Sequence, residues 1–100
     1  MDDHKAVFVP IISQKVSSSI SLKEMCAGLE EEGVPYRISA EPQEHSSSLP
    51  ISILIKGNQF MIFHEKLPEG QSYLNGTAGL ERWGGKNAAR LVKGLPLCLE

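Results

Sequence analysis

The chain has 100 residues and a mass of 11.0 kDa, the size of one small domain spanning 1–100. Its 41% apolar and 22% charged residues argue against wholesale disorder; a net charge of −2 and a pI near 5.9 give no global pull toward nucleic acid or an anionic membrane. No apolar run nears the roughly 18 residues of a spanning helix, two cysteines are too few for a disulfide framework, and Met1-Asp2-Asp3 has the wrong charge for a secretory signal, so the expected compartment is the cytosol.

Val7-Phe8-Val9-Pro10-Ile11-Ile12 reads as a strand covered on both faces. After Ser17-Ser18-Ser19 comes a well-marked helix start. Ser21 and Glu24 make an S-x-x-E capping box, with Ile20 and Met25 at the two staple positions. Leu22, Met25, Cys26 and Leu29 recur at helical spacing, and Gly33 suits the left-handed stop, which predicts a helix over 22–32 packed through that face. Pro35 to Ala40 reads as a half-buried strand with Tyr36 and Ile38 alternating. The polar stretch 41–48 reads as a connection carrying at most one helical turn. Ile51 to Ile55 and Phe60 to Phe63 form a central hairpin turned by Gly57-Asn58. Ser72-Tyr73-Leu74 reads as a brief fifth strand ended by the turn pair Asn75-Gly76. Gly79, Gly84 and Gly85 argue against a helix until Lys86, after which Ala88, Leu91 and Val92 share one face up to Gly94 and Pro96. The order β-α-β-connection-β-β-β-α, without internal repeats, predicts an α/β layer fold.

Little in this order supports catalysis. His4, His45 and His64 are scattered, and none pairs with another His or Cys at metal-ligating spacing. His64 and Glu65 adjoin on a strand and so face opposite sides. Cys26 lies on the apolar helix face, the usual place of a core thiol. Gly84-Gly85-Lys86 lacks the hydroxyl residue that a phosphate loop requires next, Asn87 standing there instead. The isolated chain is expected not to hydrolyse ATP.

Charge is more informative. Glu30, Glu31 and Glu32 fall in the last turn of the first helix, where the macrodipole disfavours acids by a few tenths of a kcal/mol each. The commoner outcome is a solvated acidic helix end; the sharper reading puts a cation or a basic partner surface opposite. At about 100° per residue, Glu31 points away from the Leu22/Met25/Cys26/Leu29 face and Glu30 and Glu32 flank it. A hard cation such as Mg²⁺ suits Glu31 only if a partner supplies the remaining oxygen ligands. Arg82, Lys86, Arg90 and Lys93 form a basic stripe, either a solvated face or a docking surface for an acidic partner. Trp83 beside it suits core filling or an interface anchor.

Two stretches carry a family resemblance. Gly28-Leu29-Glu30-Glu31-Glu32-Gly33-Val34-Pro35-Tyr36-Arg37 and Gly85-Lys86-Asn87-Ala88-Ala89-Arg90-Leu91-Val92-Lys93-Gly94-Leu95-Pro96 resemble the small subunit of the diol/glycerol dehydratase reactivating factor. The similarity runs from about Val7 to Pro96 and includes the hairpin and Leu67-Pro68. It implies an anticodon-binding-like mixed sheet of five strands, order 2-1-3-4-5, with strand 4 antiparallel. It also implies pairing with a large chaperone-like ATPase subunit and, by exchange with the medium subunit it mimics, ATP-driven release of damaged cobalamin from an inactivated adenosylcobalamin-dependent dehydratase. In that family a carboxylate of the Glu-Glu-Glu-Gly run reaches a divalent ion held mainly by the large subunit, a position that matches Glu31. The chain departs from the pattern in having only Glu41 to Pro50 where the family has a second helix, and Lys86-Asn87 for a more usual asparagine pair, which matters little if exposed.

The leading expectation is thus a non-catalytic interaction protein of the cytoplasm or of a bacterial microcompartment within it, binding no cofactor alone and Mg²⁺ only at its interface. Its partners are the ATPase subunit and the dehydratase, with neither nucleic acid nor membrane among them. Glu31 is the metal candidate, and Glu30, Glu32, Arg82, Lys86, Arg90 and Lys93 are the partner-facing set. The alternatives are a medium-subunit-like piece of the dehydratase itself, or an anticodon-binding-like RNA module, which the acidic balance disfavours.

Overall fold

Alternating buried and half-buried positions along β-branched runs build a single sheet, to which two helices are fitted on one face. A computed structural model of the chain describes residues 7–13, 20–39, 49–68 and 71–97. The elements are β1 (Val9–Ser13), α1 (Leu22–Glu31), β2 (Tyr36–Ser39), β3 (Ile51–Lys56), β4 (Gln59–His64), β5 (Leu74–Thr77) and α2 (Glu81–Lys93). Strand order is β2-β1-β3-β4-β5. β1 runs parallel to β2 and β3, while β4 is antiparallel to β3 and β5, as expected of the sheet. The expected connection over 41–48 lies outside the described residues, as do His4, His45 and Cys98.

Register lines up Ile38, Ile11, Ile53, Ile62 and Leu74 in one row across all five strands. This row belongs to the face that, with Val9, Ile51, Ile55 and Phe60, forms the core with Met25, Cys26, Leu29, Ala88 and Ala89. Each fully buried large apolar side chain stabilises the fold by about 1.5–3 kcal/mol. The opposite face, with Pro10, Ile12, Leu54, Met61 and Phe63, is only half-buried. Among the described residues, the expectation that β1 is covered on both faces is therefore corrected, because both described helices pack on the same side. Ile38 is 45% exposed despite its place in the row, since β2 is the edge strand of the described sheet.

Two further corrections concern glycines. β5 does not stop before Asn75-Gly76 but runs through them, and Gly76 is there because a Cβ would strike the ring of Phe60, fully buried beneath it. α2 begins at Glu81, five residues before Lys86, with Gly84 and Gly85 inside it. A Cβ at Gly84 would meet Phe60 Cζ at 2.5 Å, and one at Gly85 would meet the Met25 carbonyl oxygen and Leu29 N. On α1, a Cβ at Gly28 would press on the Arg82 carbonyl and lie 2.7 Å from Lys86 N. The helices thus touch backbone to backbone, and this packing outweighs the roughly 1 kcal/mol per residue that glycine costs a helix. Asn87 is fully buried, so the Lys86-Asn87 departure does not fall wholly on an exposed surface. Gly33 (φ 74°) follows α1 and Gly94 (φ 72°) caps α2 in left-handed geometry, as read from sequence.

Candidate functional site

The two helices run in the same direction, so both N-termini lie together and both C-termini lie together. At the N-terminal end, Ser21 caps α1 by accepting the Glu24 backbone N–H at 3.2 Å. The reciprocal half of the capping box is absent, because the backbone N–H of Ser21 donates instead to Glu81 Oε2 at 3.0 Å. Glu81 also accepts the Gly79 N–H at 2.8 Å and is 5% exposed. Burial pushes its carboxyl pKa up, but the backbone donors of Ser21, Glu81 and Gly79 outweigh it and hold the net value below the usual carboxylate range. Sequence reasoning missed this residue, since its partner lies sixty positions away.

Along the rest of the contact the basic stripe of α2 meets the acids of α1. Arg82 Nε lies 3.2 Å from Glu24 Oε1, and its Nη1 lies 3.1 Å from Glu31 Oε2. Lys86 Nζ stands 3.6 Å from the other Glu31 oxygen. Glu32 sits between Arg90 Nε at 3.4 Å and Lys93 Nζ at 3.7 Å. The Arg90 Nε contact lacks hydrogen-bond geometry, and Arg90 bonds through Nη1 to the Pro96 carbonyl at 3.1 Å. Glu30 accepts the Tyr36 hydroxyl at 2.6 Å. That bond chiefly, with one to Cys26, raises the Tyr36 pKa above the ordinary phenol range. Burial raises the Cys26 thiol as well, which keeps it protonated and unreactive at neutral pH.

Of the seven residues singled out for metal or partner binding, Glu31, Glu32, Arg82, Lys86, Arg90 and Lys93 meet along the α1–α2 contact in ion pairs within the chain, whereas Glu30 turns to Tyr36 of β2. Glu31 is exposed, and its carboxylate pairs with Arg82 and Lys86 of α2. The basic stripe pairs with the chain's own acids, which offsets the unfavourable helix-end charge. Trp83 packs, half-buried, against the core cluster. Exposed pairs of this kind contribute about 0.2–1 kcal/mol each.

A groove of about 510 Å³ lies among Pro10, Ser52, Phe63, His64, Leu67 and Pro68. His64 Nδ1 there accepts the Lys66 N–H at 3.1 Å, which fixes a turn and leaves Glu65 out of any acid-base pair with that nitrogen. Among the described residues no group of three His, Cys, Asp or Glu could hold a metal. Mg²⁺ takes about six oxygen ligands. Glu31, with a further lone pair on each oxygen, would supply one of these, and the others would have to come from outside the described residues. No helix among the described residues is long and apolar enough to cross a membrane.

Comparison with known proteins places these features in context. A family model described as dehydratase medium subunit matches residues 6–98. The diol dehydratase-reactivating factor small subunit of Klebsiella michiganensis is 30% identical over 88 residues, covering 74% of this chain and 70% of that protein. A chain from a diol dehydratase-reactivating factor complexed with ADP and Mg²⁺ superposes with a TM-score of 0.76 at 24% identity, covering 94% of this chain and 98% of that one. A glycerol dehydratase reactivase chain gives 0.73 at 24% identity, covering 93% and 97%. The solved structures bear out the fold.

Proposed function

This chain belongs to the dehydratase medium subunit family, and on that premise we propose that it acts as the small subunit of a diol/glycerol dehydratase-reactivating factor. The observation that carries the reading is its match across 70% of a relative that bears that name. In this reading the chain has no catalytic step of its own. It docks on a large ATPase subunit and changes places with the medium subunit of an inactivated dehydratase, so that damaged cobalamin can leave. A raised Cys26 thiol and a His64 nitrogen committed to a backbone bond support a role in binding rather than chemistry.

The α1–α2 ridge is the proposed partner face. Glu31 would give one carboxylate oxygen to a divalent cation otherwise held by the large subunit, and a Mg²⁺ there would bridge the two chains as a hard, oxygen-preferring ion. Glu30 and Glu32 flank it, and Arg82, Lys86, Arg90 and Lys93 set the charge around it. The family's own description favours a second reading, a component of the dehydratase itself. One assay separates the two: dehydratase inactivated by turnover is incubated with ATP, Mg²⁺ and the cognate large subunit, with and without this chain. Recovery that needs both proteins is the expected result. Equal recovery with the large subunit alone overturns the reading, and a requirement for this chain in fresh dehydratase favours the second.

A further inference from the structure

The two acids at the end of α1 are held differently. Glu32 is 13% exposed between Arg90 and Lys93, whereas the Glu31 side chain is 40% exposed and carries one cation on each oxygen. Arg82 is also shared: Nη1 serves Glu31 while Nε serves Glu24. If Glu31 turns away, Arg82 keeps a carboxylate partner. Of the two helix-end acids, Glu31 is thus the one whose release strands fewer cations, Lys86 alone against Arg90 and Lys93 for Glu32.

A divalent cation approaching Glu31 meets two positive charges within 4 Å of its carboxylate oxygens. Their repulsion opposes binding even where solvent screens it. Resting on the reading of Glu31 as the chain's ligand to an interface cation, we infer that Arg82 and Lys86 are positioning residues that compete with that cation. They hold Glu31 paired within the free subunit, and Glu24 takes over Arg82 when the carboxylate is handed to the metal. Association through Glu31 then has a threshold in cation concentration, set by the strength of these pairs and of the Glu24 contact.

The competition makes predictions of opposite sign. Binding of the full chain to its cognate large subunit is titrated over a range of Mg²⁺ concentrations, and the Mg²⁺ midpoint is read for each variant. Arg82→Gln and Lys86→Gln should each lower the midpoint about twofold to fivefold, the factor that corresponds to an exposed ion pair. Glu24→Gln should raise it, because Arg82 then has only Glu31 to bind. Lys56→Gln, which removes the same charge from the exposed end of β3, should leave it unchanged. Glu31→Gln should abolish the Mg²⁺ response. If Glu31→Gln responds to Mg²⁺ like the wild type, the interface-cation reading falls and the competition falls with it. If Glu31→Gln loses the response but Arg82→Gln leaves the midpoint unchanged or raises it, the competition alone is overturned.

Discussion

At its N-terminus α1 is fastened by a carboxylate from the other helix, Glu81, which is buried and bonded to backbone N–H groups. At its C-terminus the carboxylates are its own, exposed or half-buried, and face flexible cations of α2. The first arrangement agrees with both helix dipoles, since Glu81 sits where two positive ends converge; the second runs against the dipole of α1 and needs Arg and Lys to compensate. A buried carboxylate held by main chain cannot leave without stranding donors, whereas an exposed one held by long side chains can be exchanged. One end of the helix pair is built to stay shut and the other to be renegotiated.

The strongest way to break that contrast is to separate the ends together. Gly85→Ala drives a methyl into the Met25 carbonyl, where backbone cannot yield, and should cost about 3 kcal/mol or more in urea denaturation. Glu81→Ala tests the fixed end alone. It leaves the Ser21 and Gly79 N–H groups without their acceptor and should cost about 1–3 kcal/mol. Because the Glu81 pKa is lowered on folding, its ionisation contributes stability that is fully present above about pH 4.5 and is lost as pH falls through the folded value. Denaturation series across that window should therefore be flatter for the variant than for the wild type. At the exchangeable end, Glu31→Ala should alter stability by less than about 0.5 kcal/mol, since two exposed pairs are lost but an acid is removed from a negative helix end. A loss at Glu31 as large as that at Glu81 would erase the distinction between the two ends.

Local signals in the sequence were readable where the chain satisfies itself within a few residues. Ser21, Gly33, the Gly57-Asn58 turn and the apolar face of α1 all belong to this kind. What escaped was set by distant partners. Glu24 looks like the second half of a capping box, yet its carboxylate goes to Arg82 while Glu81 takes the role expected of it. Gly76, Gly84 and Gly85 look like breakers, and only the Phe60 ring and the α1 backbone reveal them as close-packing positions. The acidic run and the basic stripe were both visible as patterns, and the resemblance marked Glu31 within the first. That the two sets meet inside one molecule follows from the crossing of the helices, which no spacing rule encodes.

The glycine crossing also has a mechanical meaning. Where helices meet through side chains, a displacement of one is absorbed by rotamer changes before the other feels it. Gly28 and Gly85 have no such slack, because each sets the main chain of its own helix against the main chain of the other. A pull on the end of α1 therefore bears directly on the main chain of α2, and through Gly84 on the Phe60 ring and the strand that carries it. Load applied at the charged end of the pair passes through main-chain contact between the helices and through the Phe60 ring to β4, next to the central strand.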